Sequence, residues 1–176
     1  NKLFLAFNAA ADGSSRFGTQ VKNGVVINTN HFAVLPSASL DWLSSSENFM
    51  ADSKIDLFKL RLSWSMTGND DIGNYSTRQT YTSQNLLGMQ GLARNGIPNP
   101  ALQWETSEKF NAGVDVSAWN DRLTFTADVF HTKTRNMLVY ETITGGAGFN
   151  TILTNNGAMQ NTGVEATLGV RLINKK

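Results

Sequence analysis

The sequence predicts an all-β protein made of about six long antiparallel strands, and three observations lead to that prediction. Apolar and polar residues alternate with a period of two along much of the chain, whereas the spacing of an amphipathic helix is hard to find. Short and long connections alternate between these segments. Finally, only 16% of the 176 residues are charged although the mean hydropathy is -0.25, because Asn, Thr, Ser and 15 Gly take the place of charge.

The alternation gives each predicted strand an apolar face and a polar face, because successive side chains of a strand point to opposite sides. Between Phe58 and Met66, for instance, the even-numbered residues are Phe, Leu, Trp or Met and the odd-numbered ones are Lys, Arg or Ser. Several segments are longer than the about 5–6 residues that are usual in globular sheets. The alternating segments are residues 2–9, 37–42, 58–66, 104–118, 123–129 and 164–172.

The connections between these strands are of two kinds. Trp119 to Arg122 is a tight hairpin turn, and Ser44 to Lys54 is a slightly longer link. The other three are rich in residues that favour turns, and they cover about 11–30, 68–101 and 141–158. Loops beyond about 12–15 residues are uncommon in a compact domain unless they have a function. All three long loops fall at the same end of the predicted sheet.

Two architectures accommodate antiparallel strands with one apolar face. In a soluble β-sandwich that face packs on a second sheet, whereas in an outer-membrane barrel it contacts lipid and the polar face lines a wet lumen. Strand length, the division into short turns and long loops, and aromatic residues near the strand ends favour the barrel. Those aromatic residues are Trp42 and Trp119 near the short turns and Trp64, Trp104 and Tyr140 toward the long loops. The sandwich, with the same aromatic residues in its core, remains the alternative.

A set of short strings is informative when taken in order. The strings are DGSSRFG at 12–18, LPSASLDW at 35–42, ENFM at 47–50, LRLSWSMTGN at 60–69, IGNY at 72–75, NPALQWET at 99–106, NDRL at 120–123 and NGAMQNTGVE at 156–165. In this order, and over nearly the whole chain, they resemble the C-terminal barrel region of the SusC/RagA-type TonB-dependent outer-membrane transporters of Bacteroidetes.

The resemblance implies an antiparallel meander of about six transmembrane strands within a large outer-membrane β-barrel of about twenty-two strands around an N-terminal plug. Since closed bacterial barrels begin at about eight strands, residues 1–176 are expected to form an incomplete TonB-dependent receptor barrel without the plug domain. The implied function is uptake of glycans, oligosaccharides or peptides across the bacterial outer membrane. The implied partners are a SusD-like surface lipoprotein, outer-membrane lipid, and TonB–ExbB–ExbD acting through the absent plug.

The residues themselves point to no catalytic, metal or cofactor site. A net charge of +1 argues against a nucleic-acid partner, which would require a clustered basic surface. His31 and His131 are far apart in a chain without Cys, so no zinc-ligand spacing is present. Asp70 and Asp71 lie in a Gly-containing loop but lack the register of a calcium loop, and they are interpreted as a solvated turn. We expect no enzyme activity and no cofactor.

The long loops are the predicted place of ligand contact, because binding residues concentrate on loops held by a rigid scaffold. Aromatic rings there would stack on sugar rings, and Asn or Asp side chains would hydrogen-bond hydroxyl groups. The predicted substrate-binding residues are Asn69, Asp70, Asn74, Tyr75, Tyr81, Asn95, Trp104 and Phe149. Charges on the polar strand faces, such as Arg61, Asp115 and Asp128, are interpreted as wall residues that pair across strands. Two other functions stay open: a soluble carbohydrate-binding β-sandwich, and a small outer-membrane barrel that acts as an adhesin or anchor.

Overall fold

The computed structural model describes residues 2–17, 20–22, 25–27, 31–144 and 148–172, and its main feature is one large antiparallel sheet. The strands are β1 (Leu3–Gly13), β2 (Gln20–Lys22), β3 (Val25–Ile27), β4 (Phe32–Leu43), β5 (Ile55–Asn69), β6 (Tyr81–Leu86), β7 (Met89–Arg94), β8 (Glu105–Ala118), β9 (Leu123–Thr142) and β10 (Thr151–Val170). The large sheet has six strands in the order β1-β4-β5-β8-β9-β10, while β2-β3 and β6-β7 form separate hairpins within the connections. The antiparallel pairing of successive strands confirms the predicted meander.

The connections at one end of the sheet are short. Residues 44–54 contain two single-turn 3-10 helices, Ser44–Ser46 and Asn48–Met50. The hairpin between β8 and β9 turns at Trp119, Asn120 and Asp121, whose φ angles are 57°, 55° and 58°. Asn and Asp tolerate this left-handed region better than most residues, and the Asp121 N–H also donates to Asp56 Oδ2 at 3.1 Å. None of the described residues forms a helix long and apolar enough to cross a membrane.

The last strand is longer than its alternation predicts. β10 begins at Thr151, whereas the sequence predicted a loop as far as about residue 158. The pairing with β9 shifts register between Thr154 and Gly157 and again between Gly157 and Met159, which marks two bulges. A bulge moves the side chains that follow it to the other face, so the period-two pattern is interrupted although the strands stay paired. The third long connection is therefore limited to residues 143–150.

The register aligns apolar residues of all six strands across one face of the sheet. One such row runs through Leu5, Leu40, Leu62, Ala112, Val129 and Val164. This face is open, since the side chains at the two sheet edges, Leu5 and Val164, are 58% and 72% exposed. A β-sandwich would cover such a face with a second sheet, whereas here even the central residues Leu62 and Val129 are 41% and 49% exposed. The exposed apolar face therefore favours a barrel wall.

Two Trp residues mark opposite ends of the apolar face. Trp64 pairs with Phe110 and donates its Nε1 hydrogen to Glu108 Oε1 at 3.0 Å. At the other end, Trp42 donates its Nε1 hydrogen to Glu47 Oε1 at 3.4 Å. A ring with an apolar body and a polar N–H suits the boundary between apolar and aqueous surroundings. These two positions agree with the predicted aromatic girdles.

Glu47, in the connection between β4 and β5, makes stability depend on pH. Its Oε2 accepts a hydrogen bond from Lys2 Nζ at 2.9 Å, and its Oε1 accepts the Trp42 bond. The Lys2 bond, followed by the Trp42 bond, lowers the pKa of the Glu47 carboxyl below its ordinary value. A carboxyl with a lowered folded-state pKa stabilises the fold above its unfolded pKa, and this contribution is lost as the pH falls through the folded pKa.

The Glu47→Gln variant is therefore expected to lower the midpoint of thermal unfolding of the full-length protein at neutral pH. The difference from the unmodified protein should shrink as the pH falls below the ordinary Glu pKa of about 4.3. This difference in unfolding midpoint is measured by thermal melts, followed by circular dichroism, at a series of pH values. Asp52→Asn, at an exposed position in the same connection, is the matched control. A destabilisation by Glu47→Gln that stays constant with pH would contradict the proposed role of the ionised carboxyl.

Candidate binding surface

A small hydrophobic cluster joins the long connections at one end of the sheet. Phe17, from the β1–β4 connection, is 1% exposed, and Ile72 and Leu102, both from the β5–β8 connection, are 5% and 0% exposed. The ring of Phe17 lies 5.4 Å from that of Trp104 between centroids, at an interplanar angle of 45°. Leu138 of β9 and Leu153 of β10 also pack against the cluster. We call residues 14–17, 70–80, 95–104 and 148–153 the loop layer, because this cluster packs them onto the end of the sheet.

Hydrogen bonds connect the first two long connections within the loop layer. Arg16 Nη1 donates to the backbone oxygen of Asp70 at 3.1 Å, and the same nitrogen lies 3.9 Å from Asp70 Oδ2. The buried Thr77 hydroxyl donates to the backbone oxygen of Arg16 at 3.1 Å. Ser14 N–H donates to the backbone oxygen of His31 at 2.8 Å, at the point where the first connection leaves and re-enters the sheet. These bonds fix the loops relative to each other as well as to the strands.

Asn155 anchors the loop layer on the last two strands. Its Nδ2 donates to the backbone oxygens of Gln103 at 2.8 Å and Asn136 at 2.7 Å, and its Oδ1 accepts the Gln103 N–H at 2.9 Å. Asn136, with a φ of 55°, lies where the β9 register shifts. The bulges thus direct the Asn155 side chain to the segment that enters β8. This explains physically why the strand pairing continues where the alternation of the sequence does not.

Two cavities of about 320 Å³ each open in the loop layer. Residues that line the first cavity include Asn74, Tyr75, Arg78, Asn95, Tyr140 and Phe149. The second is lined by Ser15, Arg16, Asn74, Tyr75, Thr77 and Arg78. Four residues that the sequence predicted as substrate-binding, Asn74, Tyr75, Asn95 and Phe149, thus lie together on one cavity. Asn74, Tyr75 and Asn95 come from the β5–β8 connection and Phe149 from the β9–β10 connection, and the fold brings them together.

Tyr75 has the most unusual geometry of these residues. Its φ is 68°, in the left-handed region that side chains with a Cβ rarely adopt, and its side chain is 63% exposed. Such a conformation costs about 1–3 kcal/mol and persists where the surroundings impose it. Here the Tyr75 carbonyl accepts the Arg78 N–H at 2.8 Å and the Gly73 carbonyl accepts the Ser76 N–H at 3.2 Å. Strain at an exposed aromatic residue on two cavities is a feature of binding sites more often than of packing.

The other four predicted residues lie elsewhere. Trp104 packs against Phe17 and donates its Nε1 hydrogen to the His31 carbonyl at 3.4 Å, so its ring stabilises the loops. Asn69 accepts the Asp71 N–H through Oδ1 at 3.0 Å, which forms the turn that ends β5. The Asp70 carbonyl holds Arg16, and Tyr81 lies on the β6-β7 hairpin outside the residues that line the two cavities.

Sequence reasoning missed Arg78 and assigned Tyr140 to an aromatic girdle, yet both residues line the first cavity. For Arg78, the available signal was its position three residues after Tyr75 in the same predicted loop. For Tyr140, near the end of β9, position in the strand did not distinguish a girdle residue from a loop-facing one.

The polar face of the sheet carries a charge network that pairs across strands. Arg61 binds Asp115 through Nε at 2.7 Å and through Nη2 at 3.1 Å, and its Nη2 also reaches Asp128 Oδ2 at 3.0 Å. Asn111 Nδ2 donates to the remaining oxygen of Asp128 at 3.0 Å. These contacts agree with the interpretation of the three charged residues as wall residues. Among the described residues, no three His, Asp or Glu side chains come together to hold a metal ion.

The chain belongs to the TonB-dependent receptor family: the model of the family "TonB dependent receptor-like, beta-barrel" matches residues 2–173. It is 32% identical to TonB-dependent receptor P3 of Formosa agariphila, over 98% of this chain and 17% of that protein. It is 31% identical to TonB-dependent receptor SusC of Bacteroides thetaiotaomicron, again over 98% of this chain and 17% of that protein. The chain therefore spans less than a fifth of the length of these relatives.

Comparison with solved structures leads to the same family. The chain superposes on the RagAB peptide importer in its closed-closed state with a TM-score of 0.86 and 28% identity, over 99% of this chain and 18% of that one. The RagAB peptide transporter gives a TM-score of 0.82 and 30% identity, over 95% and 18%. The resemblance to the SusC/RagA type and the predicted β-barrel fold are thereby confirmed, and the sheet is a segment of a TonB-dependent receptor barrel.

Proposed function

We propose that this chain forms barrel wall and extracellular loops of a nutrient importer in the bacterial outer membrane. The observation that carries the proposal is an apolar, exposed sheet face combined with a packed loop layer at one end. In this arrangement the apolar face contacts lipid, the face with Arg61 and Asp128 lines the lumen, and the short turns face the periplasm. The exposed apolar face speaks against a soluble carbohydrate-binding sandwich.

We further propose that residues 1–176 are an incomplete part of a larger barrel. Closed bacterial barrels begin at about eight strands, whereas the large sheet described here has six. The relatives are several times longer than the matched region, which supports the proposal. The plug, the coupling to TonB–ExbB–ExbD and the contact with a SusD-like lipoprotein belong to the whole protein. The segment itself catalyses no reaction in this proposal and contributes wall and binding surface.

The substrate contacts of this segment are assigned to the first cavity. Tyr75, Tyr140 and Phe149 offer rings for stacking, and Asn74 and Asn95 offer amides that both donate and accept hydrogen bonds. Apolar rings combined with a few convergent polar groups are typical of small-ligand sites. A glycan, an oligosaccharide or a peptide can use these groups.

Tyr75→Ala in the full-length protein is expected to weaken substrate uptake about 2- to 13-fold without reducing the amount of protein in the membrane. The basis is the loss of a stacking ring, whose pair contacts contribute about 0.5–1.5 kcal/mol beyond the buried area. Uptake is measured with labelled oligosaccharides and oligopeptides. Tyr75→Phe keeps the ring and should retain most of the uptake, and Tyr81→Ala, outside the cavities, is the matched control. Unchanged uptake by Tyr75→Ala would refute the assignment of the site.

A further inference from the structure

The two cavities of the loop layer have an unbalanced charge. Arg78 lines both, Arg16 lines the second, and no Asp or Glu is among the described residues that line either one. Arg16 is partly neutralised, because its Nη1 contacts the backbone oxygen and the carboxylate of Asp70. Within the described part of the chain, no carboxylate forms an ion pair with Arg78. Both cavities therefore present a cation whose counter-charge the described residues do not supply.

The backbone that carries this cation is held in place. Arg78 N–H donates to the Tyr75 carbonyl, and the preceding residue, Thr77, is 5% exposed and bound to the Arg16 carbonyl. Ser76 Oγ donates to the Gly73 carbonyl at 2.7 Å. The turn thus fixes the Cα atoms of Tyr75 and Arg78 and leaves their side chains exposed. Pre-organisation of this kind reduces the entropy lost when a ligand binds.

Arg78 can bind an anionic group of a ligand, and the other residues that line the first cavity indicate what the rest of that ligand is. Besides Tyr75, the first cavity has the rings of Tyr140 and Phe149, and it has amides from Asn74 and Asn95. Rings and amides bind the faces and hydroxyl groups of sugars. A guanidinium binds a planar or tetrahedral oxyanion, often through two parallel hydrogen bonds. Since no Asp or Glu is among the described residues that line the cavity, they offer no carboxylate to pair with the ammonium group of a peptide terminus or a lysine.

We propose that the imported substrate is an acidic oligosaccharide, whose carboxylate or sulfate group is bound by Arg78 while its sugar ring stacks on Tyr75. Arg78 is then the residue that determines specificity for acidic over neutral sugars. This inference rests on the proposed function, because it names the substrate class of the same site.

Binding to the purified full-length protein tests the inference with four probes: trigalacturonate, a sulfated galactan tetrasaccharide, neutral galactotetraose and triglutamate. At least one acidic sugar should bind about tenfold more tightly than the neutral one, which is the effect of one charge-assisted hydrogen bond. Arg78→Gln should remove this preference by weakening the binding of the acidic sugar, and Arg78→Lys should restore part of it. Arg94→Gln, on the exposed β7 strand, is the control. Comparing the two acidic sugars shows whether the anion is carboxylate or sulfate.

Several outcomes overturn the inference. Equal affinity for acidic and neutral sugars, binding of neither acidic sugar, or an Arg78→Gln variant that keeps the preference each reject the role of Arg78. Tighter binding of triglutamate than of any sugar rejects the claim that the substrate is a carbohydrate. The proposed function is tested separately: equal binding of acidic and neutral sugars that is lost in Tyr75→Ala would retain the site while rejecting the acidic substrate.

Discussion

Replacing Gly113 with valine is expected to reduce strongly the amount of folded protein in the outer membrane. Gly113 of β8 pairs with Arg61 of β5 on one side and with Asp128 of β9 on the other. The Arg61 guanidinium crosses over Gly113 to reach Asp128 Oδ2 at 3.0 Å. A Cβ at residue 113 would lie 2.8 Å from Arg61 Nη2 and 2.9 Å from its Cζ, and it would also clash with the Asp128 carboxylate. These atoms are the ends of two flexible side chains, so a Cβ at residue 113 would displace them and break the contact between Arg61 and Asp128 in this geometry.

Two costs combine in this variant. Extra atoms in a packed site cost about 1–3 kcal/mol, and the loss of a hydrogen bond to a charged group costs about 1.5–3 kcal/mol. Asn111 would still contact Asp128 and Asp115 would still contact Arg61, so the network is weakened at its centre and not removed. Most single substitutions cost about 1 kcal/mol, which makes this one a large effect.

The measurement is the fraction of full-length protein that migrates as a folded, heat-modifiable species when membranes are analysed by electrophoresis. Gly91→Val is the matched control, because a Cβ at Gly91, in the exposed β6-β7 hairpin, would lie 3.7 Å from its nearest neighbour, the Gln84 carbonyl oxygen. Gly113→Ala, which introduces the Cβ alone, should show part of the effect. If Gly113→Val folds as well as Gly91→Val, glycine is not required between Arg61 and Asp128.

Replacing Leu102 with alanine is expected to loosen the loop layer while the sheet stays intact. The Leu102 side chain is fully buried, at 0% exposure, between residues of two different connections. Truncation of a buried leucine to alanine costs about 2–5 kcal/mol, depending on how far the cavity collapses. The shorter alanine side chain would no longer fill the space next to Phe17 and Ile72 in the cluster. The free energy of local opening of the loop layer should therefore fall by this amount.

Hydrogen exchange and limited proteolysis of the full-length protein measure the effect of Leu102→Ala. Residues 70–80 and 95–104 should exchange faster and be cut sooner, whereas the paired residues of β5 and β8 should keep their protection. Leu92→Ala, at a side chain that is 78% exposed on β7, is the control. Uniform loss of protection across strands and loops would contradict a separate loop layer, and no change at all would contradict the role of Leu102.

Much of the sheet was predictable because its determinants are local. Residues 58–66 alternate without interruption, residues 104–118 alternate except at Thr106 and Glu108, and both segments form strands with bounds within a few residues of those predicted. The first part of β10, by contrast, could not be predicted from local sequence pattern. Residues 151–159 pair with β9 through two bulges, and Asn155, which lies between the shifted pairs, bonds to Gln103, a residue far away in the sequence. The alternation of apolar and polar residues in a sequence does not reveal strand pairing of this kind.

The residue types of the candidate site could be predicted from the sequence, but only some of the individual residues that line the cavity could. Asn74, Tyr75, Asn95 and Phe149 were recognised as polar or aromatic loop residues, and they line one cavity. By the same criterion Trp104 qualified as well, yet it packs on Phe17, because a Trp next to a buried cluster is stabilised by burying its ring. Exposure depends on which loops pack on each other, and residue type does not reveal this.

The sequence by itself determined the all-β meander, the two faces of each strand and the end at which the long loops lie. These properties follow from the period of side-chain direction along a strand and from the length of each connection, both of which are local. The tertiary structure alone decided that Arg61 reaches Asp128 across Gly113, and that Arg78 and Tyr140 face the same cavity. Such contacts depend on the register between strands and on the packing of loops, and in both cases the partners are distant along the chain.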